Sequence, residues 1–355
     1  MTSPPLDMTS RSVTDYFRGR RVLVTGACGT VGQQLVRHLL ERLDVEALVG
    51  LDNNESELLF LEERHKKHSN TRFRLCDIRD LSSLQREARG IDIIFHAAAY
   101  KHVYLCERSP LEAIQTNVLG VQNVIQCASD NNVGRLVFTS SDKAVNPTNV
   151  MGTSKLMGER LVTAAAIDSG RCDTVFLSTR FGNVLGSRGS VIPIFRDQIR
   201  RGGPVTLSDP RMTRFIMSLD EAAWLVIEST VLAKRGDVLI TKMPTIKITD
   251  LAEVLISEQA PRYGLRPSDI SIVNVGPRPG EKLYEELMNE EETRRSIELE
   301  RYFVVRPAML GDPGDDYSGR PGIAVTRPYN SANEKPLSRA DLAQFLHDKQ
   351  LIEQA

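Results

Sequence analysis

No stretch of the 355-residue chain approaches the run of about 18 apolar residues that a bilayer-spanning helix needs. The opening segment, MTSPPLDMTSRSVTDYF, also lacks the apolar core of a signal peptide. These absences predict a cytoplasmic protein with no membrane partner, and residues 1–17 read as a flexible lead-in. Charge of one sign is missing too. The 45 Lys and Arg balance 46 Asp and Glu to a net −1, which excludes the basic surface expected of a nucleic-acid binder. Cysteine is sparse. Cys28, Cys76, Cys106, Cys127 and Cys172 make no CxxC and no Cys/His metal spacing, so free thiols and no metal site are expected. No internal repeat or low-complexity tract is present. What remains is ordinary globular material, 41% hydrophobic and 26% charged, enough for a sizeable core.

Apolar runs recur at 20–26, 46–52, 73–78, 92–98, 135–141, 174–180 and 237–241. Most are continuous in Val, Ile, Leu and Phe, as strands buried on both faces require. Helical patterns separate them; Val31, Leu35, Leu39 and Leu43 repeat at helical spacing. Strand and helix alternating in this way predict an α/β, Rossmann-type doubly wound parallel sheet. After about residue 183 the pattern loosens into Gly-, Pro- and Arg-rich segments. The expected division is a dinucleotide-binding domain over 18–183, with 215–242 returning to it. A smaller substrate-binding lobe is expected from 184–214 and 243–330, and a C-terminal helix within 331–355, N-capped by Ser338.

VTGACGTVG places Gly26, Gly29 and Gly32 between the first strand and the first helix. Gly26 allows the tight turn, Gly29 a close backbone approach to a pyrophosphate, and Gly32 tight helix–strand packing. Thr30 and Val31 complete the turn. Asp52 ends the second strand, where its carboxylate can accept from a ribose hydroxyl. Asn53, Asn54 and Glu55 follow it, with no Arg to receive a 2′-phosphate, which favours NAD over NADP. Asp77 and Ile78 fall near the expected adenine.

HAAAYKHV (96–103), TNVLG (116–120), SSDKAVNPTNVMGTSK (140–155) and RFGNVLGSRGSVIPIF (180–195) bring a closer likeness. With them the chain resembles the extended short-chain dehydrogenase/reductases. Within these it resembles the nucleotide-sugar 4,6-dehydratases that act on UDP-N-acetylglucosamine in bacterial surface-polysaccharide biosynthesis. Met151 stands four residues before Lys155, where most of the superfamily has a Tyr. That arrangement resembles the C5-retaining branch. Many members of that branch carry membrane-spanning N-terminal regions; this chain is expected to be a soluble form, and a homodimer or higher homo-oligomer.

The resemblance implies that C4 of the sugar is oxidised, water is eliminated across C5 and C6, and hydride returns to C6. A thioether has no proton to move, so other groups must move it. Asp142 is expected to protonate the departing 6-hydroxyl. Lys143, kept neutral by burial and nearby cations, is expected to take the C5 proton. Ser141 is assigned to the sugar 4-hydroxyl, Met151 to a packing wall, Lys155 to the nicotinamide ribose, and Asn117 to ordering Lys155 or water. Ala98 and Lys101 are placed at the cofactor, Lys101 also at the substrate. The diphosphate and nucleoside fall to Asn183, Arg188, Arg214, Arg278 and Glu281, the last two in RPGEK. UDP is the favoured base carrier. GDP-N-acetylglucosamine, a C5-inverting dehydration, a C4 epimerisation and a non-catalytic NAD-binding sensor or scaffold stand as alternatives.

Overall fold

The structure, a computed structural model, describes residues 11–168, 173–187, 189–309, 316–317 and 320–352. Seven strands run parallel through its centre: β1 (Arg21–Thr25), β2 (Ala47–Asp52), β3 (Thr71–Leu75), β4 (Ile93–His96), β5 (Arg135–Thr139), β6 (Val175–Arg180) and β7 (Val238–Thr241). They fall at the seven apolar runs, and burial on both faces of all but the edge strand β3 explains why most of those runs do not alternate. The order is β3-β2-β1-β4-β5-β6-β7. The chain therefore reverses direction across the sheet between β1 and β4, the place where open α/β sheets leave a crevice beyond their strand ends. The helix Thr30–Glu41 leaves the β1 turn, and the helix Val150–Ile167 packs beside β6.

Two expectations change. Three further strands, β8 (Ser296–Glu298), β9 (Tyr302–Val305) and β10 (Ile323–Ala324), had been placed in the smaller lobe. They instead extend the central sheet beyond β7 by antiparallel pairing, giving ten strands. Burial of Tyr302, Val304 and Val305 in the main core accounts for this. The lead-in is not loose throughout. Arg11–Phe17 is a helix, with Val13 and Phe17 buried and the Phe17 ring stacked 6.1 Å from Phe95. Residues 1–10 lie outside the described residues.

A separate core forms around Ile192, Phe195, Ile216, Leu251 and Leu255. It joins the helices Val191–Arg200 and Ile248–Gln259 to the terminal helix Arg339–Asp348, through Leu342 and Leu346. Ser338 caps that last helix by accepting from the backbone N–H of Asp341. Four of the cysteines, Cys28, Cys76, Cys106 and Cys127, are buried free thiols; Cys172 lies outside the described residues. Among the described residues no helix is long and apolar enough to cross a membrane, and no cluster of three metal-ligating side chains occurs.

Candidate active site

A cleft of about 650 Å³ opens along the C-terminal ends of the parallel strands. Every residue expected at the cofactor lines it, together with Ser141, Asp142, Lys143, Met151 and Asn183. At its floor Gly26 has φ +68°, and a Cβ there would lie 2.6 Å from the backbone of Ala98. A Cβ on Gly32 would stand 2.0 Å from the Gly26 carbonyl oxygen. Only glycine fits either position. Gly29 caps the helix Thr30–Glu41, whose N-terminus stands at the cleft, where a pyrophosphate can sit. Asp52 accepts from the backbone N–H of Cys28 at 2.9 Å and of Asn54 at 3.0 Å, which fixes its carboxylate at the cleft edge. Asp77 is clasped by Arg79, whose hydrogen bonds hold the carboxyl below its ordinary range.

Thr139, Ser140 and Ser141 carry β5 out into a short 3-10 turn, Asp142–Ala144. Ser141 Oγ donates to Asp142 Oδ1 at 2.7 Å, and Lys143 Nζ donates to the same oxygen at 3.0 Å. Asp142 is 1% exposed, and its Oδ2 has no hydrogen-bond partner among the described residues. The helix bearing Met151 and Lys155 starts at Asn149, whose side chain accepts from Gly152 N–H. Met151 is buried against Cys106 and Ala113 and presents no proton donor to the cleft. Lys155 Nζ donates to the Thr139 carbonyl at 2.9 Å and lies 4.8 Å from the centroid of the Phe138 ring. Burial lowers its pKa to about 8.

The neutral Lys143 expected from the sequence is not the resting state. Burial pushes the ammonium toward neutrality, but the carboxylates of Asp142 and Glu285 outweigh it, and the net direction is upward. The cation facing it is Arg214, too weak an influence to reverse that. Asp142 and Lys143 therefore rest as an ion pair. The protonated-acid, free-amine form has the same proton count and differs by one proton moved along the 3.0 Å hydrogen bond.

Four expected site residues are not brought to the cleft. Asn117, in a π-helical turn, bonds both the N–H and the carbonyl of Tyr100 and reaches Ser154 Oγ at 2.9 Å. It orders Ser154, the neighbour of Lys155, and the backbone of Tyr100, which lines the cleft. Arg214 is no phosphate fork. Its donors are spent on the carbonyls of Thr213, Lys282 and Leu283, and its Nε lies 3.4 Å from Glu285. Arg278 and Glu281 are exposed and close a local turn on each other, Arg278 N–H donating to the Glu281 carboxylate. Arg188 lies outside the described residues. The RPGEK segment instead seats on the loop between Asp142 and the helix Val150–Ile167. Thr148 Oγ1 and Asn149 Nδ2 donate to the Gly280 carbonyl at 3.1 Å each, and Lys282 Nζ donates to the Val145 carbonyl at 2.8 Å.

Sequence reasoning missed Glu285. It follows RPGEK in a run of two glutamates, and nothing in the run marks which one turns inward.

The family described as polysaccharide biosynthesis protein matches residues 22–307. A protein of Methanocaldococcus jannaschii named an uncharacterized membrane protein is 48% identical over 298 residues, 84% of this chain and 89% of that protein. A UDP-N-acetylglucosamine 4,6-dehydratase (inverting) of Campylobacter jejuni is 36% identical, over 85% of this chain and 87% of its own. A UDP-glucose 4-epimerase of Rickettsia bellii is 34% identical over 93% and 96%. The chain spans about half the length, 48%, of the capsular protein CapD of Staphylococcus aureus and of EpsC of Bacillus subtilis. Among solved structures, Pen from Bacillus thuringiensis superposes with a TM-score of 0.87 at 38% identity, covering 95% of this chain and 99% of that one. DesIV of Streptomyces venezuelae, a dTDP-glucose 4,6-dehydratase with NAD bound, superposes at 0.65 and 26% identity, over 74% and 86%.

Proposed function

The chain belongs to the polysaccharide biosynthesis protein family, and from that premise we propose that it is an NAD-dependent nucleotide-sugar 4,6-dehydratase. The substrate proposed is a nucleoside-diphosphate N-acetylglucosamine, UDP before GDP, and the product its 4-keto-6-deoxy sugar. The observation that carries this reading is the Asp142–Lys143 pair at the cleft, its carboxyl buried and its amine a quarter exposed, beside a helix in which Met151 replaces a proton-moving side chain. Gly26, Gly29, Gly32, Asp52 and Lys155 suit a dinucleotide, Asp52 for its ribose hydroxyls and the glycines for its pyrophosphate. Held by these residues, NAD would supply the hydride acceptance and return that the reaction needs.

The remaining steps belong to the chain. Ser141 holds the sugar 4-hydroxyl. Lys143 takes the C5 proton after passing its own to Asp142 along their hydrogen bond, and the Asp142 carboxyl then protonates the departing 6-hydroxyl. The protons balance over the cycle: the 4-hydroxyl and C5 each release one, water takes one from Asp142, C5 regains one from Lys143 as hydride returns to C6, and the proton shed by the 4-hydroxyl restores the pair.

Incubation with UDP- and GDP-N-acetylglucosamine, read by mass spectrometry, tests this. Loss of one water is expected, and it should vanish in Asp142→Asn and Lys143→Met while NAD remains bound. No turnover of either sugar nucleotide rejects the enzyme. A C4 epimerase is the second reading, favoured by the Rickettsia likeness and opposed by Met151. It would leave C6 oxygenated.

A further inference from the structure

Glu285 stands behind the cleft wall and does not line it. Its side chain is 5% exposed, with Oε1 3.6 Å from Lys143 Nζ and 3.4 Å from Arg214 Nε. Its Oε2 is buried with no hydrogen-bond partner among the described residues. The backbone holds it there: Glu285 N–H donates to Ser331 Oγ at 2.9 Å, and its carbonyl accepts from Ser331 N–H at 2.8 Å. Glu286, the next residue, turns the other way to accept from Asn146 and Lys282. One ammonium is thus shared by two buried carboxylates, on Asp142 and Glu285. The charged groups facing Glu285 are Asp142, Lys143, Arg214 and Lys282. Such a triad titrates as a unit, so the charge on Glu285 changes the cost of every proton position on the other two.

We propose that Glu285 is a positioning residue that sets, from behind the wall, which of Asp142 and Lys143 carries the proton they share. The proposal rests on the reading of those two residues as the proton-moving pair. An ionised Glu285 beside Nζ favours the ammonium of the resting ion pair, and burial, which raises the Glu285 pKa, makes its charge easy to lose. Glu285 belongs to the segment that follows RPGEK, so the same seating that closes this segment on the loop after Asp142 also delivers the charge.

Competitive trace acetylation, with mass spectrometry of the Lys143 peptide across the neutral-to-alkaline range, reads the neutral fraction of that amine without any turnover. In Glu285→Gln the Lys143 profile is expected to move to lower pH by about one unit, about a tenfold gain in reactivity at fixed pH. The alkaline limb of kcat/KM for water loss, where the pair loses its one shared proton, should move with it. An unmoved profile overturns the proposal. A merely structural role would lower stability and scale the reactivity evenly, leaving the midpoint in place, and that result overturns it too. A profile that moves while the rate limb stays still supports the tuning by Glu285 and removes Lys143 as the base. Should Glu285→Gln fail to fold, Glu285→Asp keeps the charge one methylene further back and is expected to shift the profile the same way by less; no shift in it overturns the proposal.

Discussion

Arg180 grips Glu159 with two parallel hydrogen bonds, Nε to Oε1 at 2.7 Å and Nη2 to Oε2 at 2.6 Å. Glu159 lies one turn beyond Lys155 on the same helix, and Arg180 ends β6. The other edge of the guanidinium holds Glu292 at 2.9 and 2.7 Å and the Leu287 carbonyl at 3.1 Å. The helix bearing Lys155 is thereby tied to the segment just beyond Glu285. Arg180→Met leaves two buried carboxylates with no cation between them. A loss of about 3–5 kcal/mol is expected in urea unfolding. A loss below about 1 kcal/mol would show that the carboxylates simply take up protons instead.

The glycine loop makes a sharper steric prediction. At Gly32 a methyl group would meet the Gly26 carbonyl oxygen at 2.0 Å, and backbone cannot rotate away as a side chain can. Gly32→Ala is expected to cost about 1–3 kcal/mol through overpacking and to abolish NAD binding in calorimetry. Retained binding would mean that the pyrophosphate does not use this turn.

Lys155 trades stability for charge. Burial depresses its pKa from 10.5 to about 8, so the folded protein binds this proton less readily than the unfolded chain. The penalty is complete below pH 8 and fades as pH rises to 10.5, where both states are neutral. Lys155→Met should therefore raise the free energy of unfolding at neutral pH, by at most about 3 kcal/mol less its hydrogen bond to Thr139, and Tm with it, while weakening NAD binding. The Tm advantage should shrink in alkaline buffer. A variant less stable than wild type at neutral pH would contradict the assigned penalty.

Asp237 provides a test remote from the cleft. Burial pushes its carboxyl up to about 7, against the Lys234 N–H that donates to it at 2.8 Å. The folded state holds this proton more tightly than the unfolded one, so stability is full below pH 3.8 and falls as pH rises through about 7. Asp237→Asn is expected to flatten the fall in Tm between mildly acidic and mildly alkaline buffer. An identical fall in the variant would assign the dependence to another group.

The site was only partly legible in the sequence, and particular residues show where legibility stops. Gly26, Gly32 and Asp52 could be found because a steric requirement and a fixed chain separation are properties of one short strand–turn–helix. Lys155 could be found because helical spacing places it relative to Met151. Arg214 and Arg278 could not be sorted: an arginine in a loop reads the same whether it meets a phosphate, solvent or a buried carbonyl. Glu285 is buried only because Ser331, 46 residues onward, holds its backbone, and no local pattern announces a contact of that range. The strands at 296–305 were misplaced for a related reason, since short apolar strands do not say which sheet edge will receive them.

By itself the sequence determined the parallel sheet, the dinucleotide cradle and the acidic–basic pair after β5, because periodicity and steric need act over a few neighbouring residues. Tertiary structure alone decided which way the Lys143 pKa moves. The pKa of Lys143 depends on what a distant segment packs against it, and the packing brought a second carboxylate where the sequence had suggested only cations.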